Sequence, residues 1–284
     1  MKSHCHLFLM IRFGQLSVVI LIFTLLASCS TSPKGRTQLI FVPDNQMSAM
    51  GIQAFSDLKA KTPIEKNPAI NQYVQCVSQA IIHSVNSPHL PKEWEVVVFR
   101  DDTPNAFALP GGKIGVHTGM LPVARTSSQL AAVIGHEVGH VIARHGSERL
   151  SEQFATQGGL LAIQTVLQTR GNNYGNIMAA LGLGAQFGLL LPHSRTQEQE
   201  ADLIGLDLMA KAGFNPQGAI ELWHNMESSS TGQPPEFLST HPSHGTRIRS
   251  LNANLDSALS VYQSIPTRQR ADQKCVRPSA GITK

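Results

Sequence analysis

Five residues, His136-Glu137-Val138-Gly139-His140, set the tightest condition on how this chain can fold, because they lie in a segment that reads as a helix. Positions four apart on a helix share one face about 6 Å apart along the axis. Both imidazoles can therefore reach one ion. Glu137 points about 100° further round, where it can take a proton from an attacking water without filling a coordination position. Thr126 with Gln129 offers a capping box, Leu130, Val133, Ile134, Val138 and Val141 are apolar, and Gly146 is the expected stop. By chance the motif arises in roughly one such chain in fifty, so a second signal is needed.

A metal hydrolase wants a third protein ligand and an open position. A helix that begins at Ser194, capped with Gln197, and ends at Gly213 carries Glu198 and Asp202 on one face, with Ile204 and Leu208 inward. With Glu198 on the metal, Asp202 is placed to orient a ligating histidine through its outer nitrogen. Glu200 competes as a ligand on paper, but it sits about 200° round the helix and is expected to face elsewhere. His145, five residues past His140, and His193, just before a cap, read as structural.

With 284 residues, 42% hydrophobic and 15% charged, the chain can bury a core as one globular domain. Its 23 basic and 19 acidic residues form no basic stripe, which gives no reason to expect nucleic acid. Helices are expected over 44–60 and 68–85, and strands over 94–99 and 113–117. Between the strands, Asn105-Ala106-Phe107-Ala108 reads as an edge strand closed by Pro110-Gly111-Gly112. The expected class is α+β, mainly helical, with a small sheet beside the motif helix. Residues 154–191 read as two short helices of about fifteen residues each, below the ~18 of a membrane span. Two placements stand open for them: burial beside the site, or a flap that touches a membrane.

At the N-terminus, Lys2 and Arg12 precede an apolar run over 13–26 that ends in Ala27-Ser28-Cys29, the outline of a secretory signal, with Met10 as an alternative start. Cys5 falls in that signal. Cys76 and Cys275 can bridge in an oxidising compartment or stay as two separate thiols.

Four ordered blocks within residues 38–255 resemble the gluzincin metallopeptidases, the family of the CaaX prenyl endopeptidases, the heat-shock protease HtpX, a mitochondrial stress protease and periplasmic lipoprotein proteases. They are Asn105 to Ala108 with Pro110-Gly111-Gly112, Gly135 to His140, Ser194-Arg195 through Glu198-Gln199-Glu200-Ala201-Asp202, and His241-Pro242 followed by Arg247. The resemblance implies a zincin (gluzincin) fold and one Zn2+ per chain, held by His136, His140 and Glu198, with Glu137 as base. It puts Asp202 behind the ligands and a peptide along 105–108 by strand addition, with Arg247 either ordering its loop against an active-site carboxylate or solvated at a helix start. Two roles stand open for His241, beside that of an ordinary surface histidine: stabilising the oxyanion, or binding zinc and holding the enzyme latent.

Leu26-Ala27-Ser28-Cys29 resembles the lipobox of bacterial lipoproteins. That implies an acylated Cys29 and, because Ser30 follows, an outer-membrane location facing the periplasm. The expected layout is a signal peptide at 1–28, a lipidated cysteine and tether at 29–37, a metallopeptidase domain at 38–262 and a polar tail at 263–284. The expected activity is proteolysis of misfolded or unassembled envelope proteins. A chaperone for outer-membrane proteins with secondary cleavage is the alternative, and it predicts binding that survives loss of Glu137. The oligomeric state is left open.

Overall fold

A computed structural model describes residues 29–85, 87, 90–91, 93–156, 194–229, 237, 241 and 245–279; the expected signal segment and most of the expected 154–191 helices lie outside them. Strands β1 (Cys29–Thr31) and β2 (Thr37–Leu39) precede helices α1 (Asp44–Lys61) and α2 (Pro68–His83). Strands β3 (Glu95–Phe99), β4 (Ala106–Leu109) and β5 (Lys113–His117) follow. The remaining helices are α3 (Ser127–Ile142), α4 (His145–Thr156), α5 (Arg195–Ala212), α6 (Gln217–Ser229), α7 (Gly245–Ser264) and the short α8 (Ala271–Lys274). No helix among the described residues is long and apolar enough to cross a membrane.

Local chemistry sets most of the helix ends. The Asn67 side chain accepts from Ala69 N at 3.0 Å, and Pro68 occupies the first turn of α2, where its missing N–H costs nothing. Ser194 and Gln197 complete both halves of the expected box on α5, and Gly213 closes that helix at φ 82°. At α3 the Thr126 hydroxyl accepts from Gln129 N, while the Gln129 side chain reaches one residue further, to Arg125 N at 2.7 Å. Gly146 is not the stop. Arg144 adopts φ 57° and donates to Asp44, so the chain turns there and Gly146 falls inside α4.

The centre of the fold is α3, in which every residue from Ser128 to His140 is buried. An apolar stripe was expected, but neighbours cover the helix on all sides. Val74, Val77 and Ile81 of α2, Val116 of β5 and Met209 of α5 share its core. Against α5 the approach is backbone to backbone. A Cβ on Gly139 would stand 2.9 Å from Ala201 O, and one on Gly205 would stand 2.8 Å from His136 N. Only hydrogen side chains let these two helices meet so closely, and the meeting brings their polar residues together.

The sheet runs β3-β5-β4, with β3 parallel and β4 antiparallel to β5. The β4–β5 turn uses Gly111 and Gly112 at φ +85° and +71°, a region that side chains disfavour. β4 is an edge strand, as expected. Phe107 packs its ring edge-on to Phe55 and stacks it on Phe99, so it offers a ligand only its backbone.

Both ends of the described chain are docked. Residues 30–36 read as a loose tether, but β1 and β2 pair as an antiparallel hairpin held to the body by charged side chains. The 263–284 segment reads as a polar tail, yet Ala271 and Cys275 are buried and Cys275 is bonded to Cys76 of α2 across a Cα separation of 5.5 Å. We expect Gly205→Ala to destabilise the fold by about 1–3 kcal/mol through overpacking, read as a lower denaturant midpoint; an unchanged midpoint would show that the helices can part freely.

Candidate metal centre

His136 and His140 leave α3 one turn apart and Glu198 rises from the first turn of α5. Their Nε2 atoms lie 3.0 Å from each other, 3.5 Å (His136) and 3.4 Å (His140) from the two Glu198 oxygens. His241 joins them, its Nδ1 being 3.0 Å from Glu198 Oε1 and 3.2 Å from His136 Nε2. All four donors lie within 4.8 Å of one another, and all four residues are buried. Imidazole nitrogens and a carboxylate are the donor set of zinc. Two Nε2 atoms that converge at 3.0 Å, with a carboxylate 3.4–3.5 Å from both, fit a shared cation. This is a single zinc site.

The charges behind the ligands are matched. Asp202 Oδ1 sits 2.9 Å from His136 Nδ1, and Arg247 forks onto Asp202 with two bonds of 2.7 Å. The Arg247 guanidinium lies 4.1 Å from the centre of the Trp223 ring. Burial would lift the Asp202 carboxyl, but Arg247 beside it holds it below the usual range. Burial would likewise raise Glu198, and His241 and His136 hold it well below. The histidines split. Burial lowers both, yet Glu198 and Asp202 lift His136 to about 9, whereas burial keeps His140 well below its ordinary value. A metal at this position would hold both imidazoles neutral.

Glu137 leaves the ligand face as expected, and burial pushes its carboxyl up. Its Oε1 is 3.4 Å from His241 Nε2, and the nearby Ala108 backbone N–H opposes the rise. A cleft opens here, lined by Met47 and Met50 of α1, residues 105–111, Glu137, His140 and His241. The strand at Asn105 to Ala108 therefore borders the same space as Glu137.

Two residues set aside by helix geometry are in the assembly. His145 is fully buried with Nδ1 2.8 Å from His140 Nδ1, and its Nε2 is 3.2 Å from Glu200 Oε2. Spacing along α3 could not reveal this, because the chain turns at Arg144 and His145 returns as the first residue of α4. Arg36 of the hairpin donates to Glu200 at 3.1 Å and forks onto Glu148, which also accepts from Gln38 and Gln197. Burial would raise Glu200, but His145, Ser32 and Arg36 lower it from 4.5 to about 2. A carboxyl depressed on folding stabilises above its unfolded value and loses that contribution as pH falls through its folded value. The stability advantage of the wild type over Glu200→Gln should thus be full above pH 4.5 and vanish towards pH 2, as measured by denaturant unfolding; an advantage that is flat with pH would sink this.

The signature of peptidase family M48 matches residues 68–255. The chain is 41% identical over 168 residues to the mitochondrial metalloendopeptidase OMA1 of Schizosaccharomyces pombe, covering 58% of this chain and 48% of that protein. It is 34% identical over 230 residues to the Arabidopsis thaliana OMA1, covering 79% and 45%. It is 29% identical over 210 residues to the beta-barrel assembly-enhancing protease of Yersinia pestis, covering 72% and 43%. The chain spans a little under half the length of these relatives. One expectation is corrected by them. The fungal and plant relatives are mitochondrial, not bacterial outer-membrane lipoproteins, so the outer-membrane location facing the periplasm does not hold. That location was read from Leu26 to Ser30, a few residues outside the catalytic domain. The family signature, in contrast, spans more than half of the chain, which belongs to peptidase family M48.

Proposed function

We propose that this metalloendopeptidase cuts misfolded or unassembled proteins, taken as extended segments along β4. One observation carries the reading: the edge strand and Glu137 line the same cleft. A peptide added to that edge gains main-chain hydrogen bonds whatever its sequence, and only unfolded chain can offer them. An acylated Cys29, at the start of β1, would hold the domain at a membrane surface.

His136, His140 and Glu198 would hold the zinc, with Asp202 and Arg247 fixing His136. When bound, zinc polarises the scissile carbonyl and acidifies the attacking water. Glu137 takes the proton of that water and returns it to the leaving amine. Its burial supports this role, because a raised carboxyl is a better acceptor near neutral pH.

The position of His241 favours the second of its two roles. Its Nδ1 stands among the ligand atoms and its Nε2 faces Glu137, which supports a closed form with His241 as fourth donor. Four protein donors close a zinc site, and three leave room for substrate.

Glu137→Gln should keep its zinc and lose about 10²–10⁴ of the cleavage rate, measured on an unfolded protein with metal content checked. Equal rates in the two proteins would remove Glu137 as base. His241→Ala should raise hydrolysis of a short peptide if His241 holds the site closed; a fall would assign it to the oxyanion instead.

A further inference from the structure

We infer that His145, Glu200 and Arg36 form an orienting arm for His140, which makes the N-terminal hairpin part of the metal site. This rests on His140 being a zinc ligand. The two histidines of α3 need the same service, a partner on Nδ1 that keeps Nε2 free for the metal. His136 receives it from Asp202, itself clamped by Arg247. Among the described residues no carboxylate touches His140 Nδ1; what stands there is the His145 ring, at 2.8 Å.

Only one order of protons satisfies this chain. A ligating Nε2 on His140 leaves its proton on Nδ1, which must donate to Nδ1 of His145. His145 then carries its own proton on Nε2, where Glu200 Oε2 lies 3.2 Å away to accept it. The same oxygen accepts from Arg36 Nε at 3.1 Å. The reverse order would put a proton on His140 Nε2, in the way of the metal. The arm is thus Arg36, Glu200, His145, His140, parallel in chemistry to Arg247, Asp202, His136 but with an imidazole inserted. Arg36 reaches Glu200 only because β1 and β2 pair and Arg36 also forks onto Glu148. His145 and Glu200 are buried, at 0% and 5% exposure, so water does not replace them as partners.

The arm is a set of positioning residues, and zinc affinity reads it directly. In the full chain, competition against a chromophoric chelator should show His145→Leu losing about 10–100-fold in zinc affinity. His145→Gln, whose amide can accept from His140 and donate to Glu200, should retain most of it. The visible spectrum of the cobalt-loaded protein should shift in the Leu variant and stay near wild type in the Gln variant. Arg36→Ala should lose affinity in the same direction. A merely structural His145 would give equal losses for Leu and Gln, and that result overturns the inference, as does wild-type affinity in His145→Leu. His140→Ala is the control: if it keeps full affinity, the ligand assignment itself has failed. Should His145→Leu not fold, Glu200→Ala answers the same question, with lost affinity expected and unchanged affinity overturning the arm.

Discussion

The direct backbone approach of α3 to α5 is the constraint on which the rest of the molecule depends. Gly135, Gly139 and Gly205 remove the side chains that would hold two helices at ordinary spacing, and Ala201 adds almost none. A normal interface places axes 8–10 Å apart with side chains interlocked. Here the small residues occupy the crossing, so the long ones project beside it, and His136, His140, Glu198 and Asp202 meet there. The site is a product of helix packing more than of any loop. That explains why α3 is buried on every side: a ligand geometry held by two backbones needs both to be immobile.

Such a site buries several charges together, which is tolerable only when each is answered. Arg247 answers Asp202 and Glu198 from α7, and Arg36 answers Glu148 and Glu200 from the hairpin. The two arginines come from opposite ends of the described chain. Arg247 was already named by the family resemblance, whereas Arg36 is recognisable as part of the site only in the fold. The disulfide between Cys76 and Cys275 has a similar effect at larger scale, since it ties the last described segment to α2.

Much of this was legible in the sequence, for reasons that differ between elements. The motif spacing and the Ser194–Gln197 box are local, and local rules carried them: both helices begin and point as expected. Glu198 and Asp202 could be assigned because one helix face fixes their mutual position. His145 and Glu200 could not, because a single left-handed residue, Arg144, redirects the chain, and helical arithmetic does not survive such a turn. The hairpin was missed for a related reason. Pro, Gly and Ser in residues 30–36 signal a turn as well as a linker, and only Glu148 and Glu200, more than 110 positions away, decide between them. The location failed differently, because a short terminal motif was weighed where the kinship of the whole domain was needed.

The edge strand beside Glu137 also sets a rule for reading. Residues of a strand alternate between faces, so a guest paired with β4 shows one face to Met47 and Met50 and turns the other away. Every second residue of the guest is then sensed, at intervals of about 7 Å, and the ones between go unread. Such a grammar recognises a two-residue rhythm in preference to a word. It suits the proposed reading of a site that accepts many extended chains.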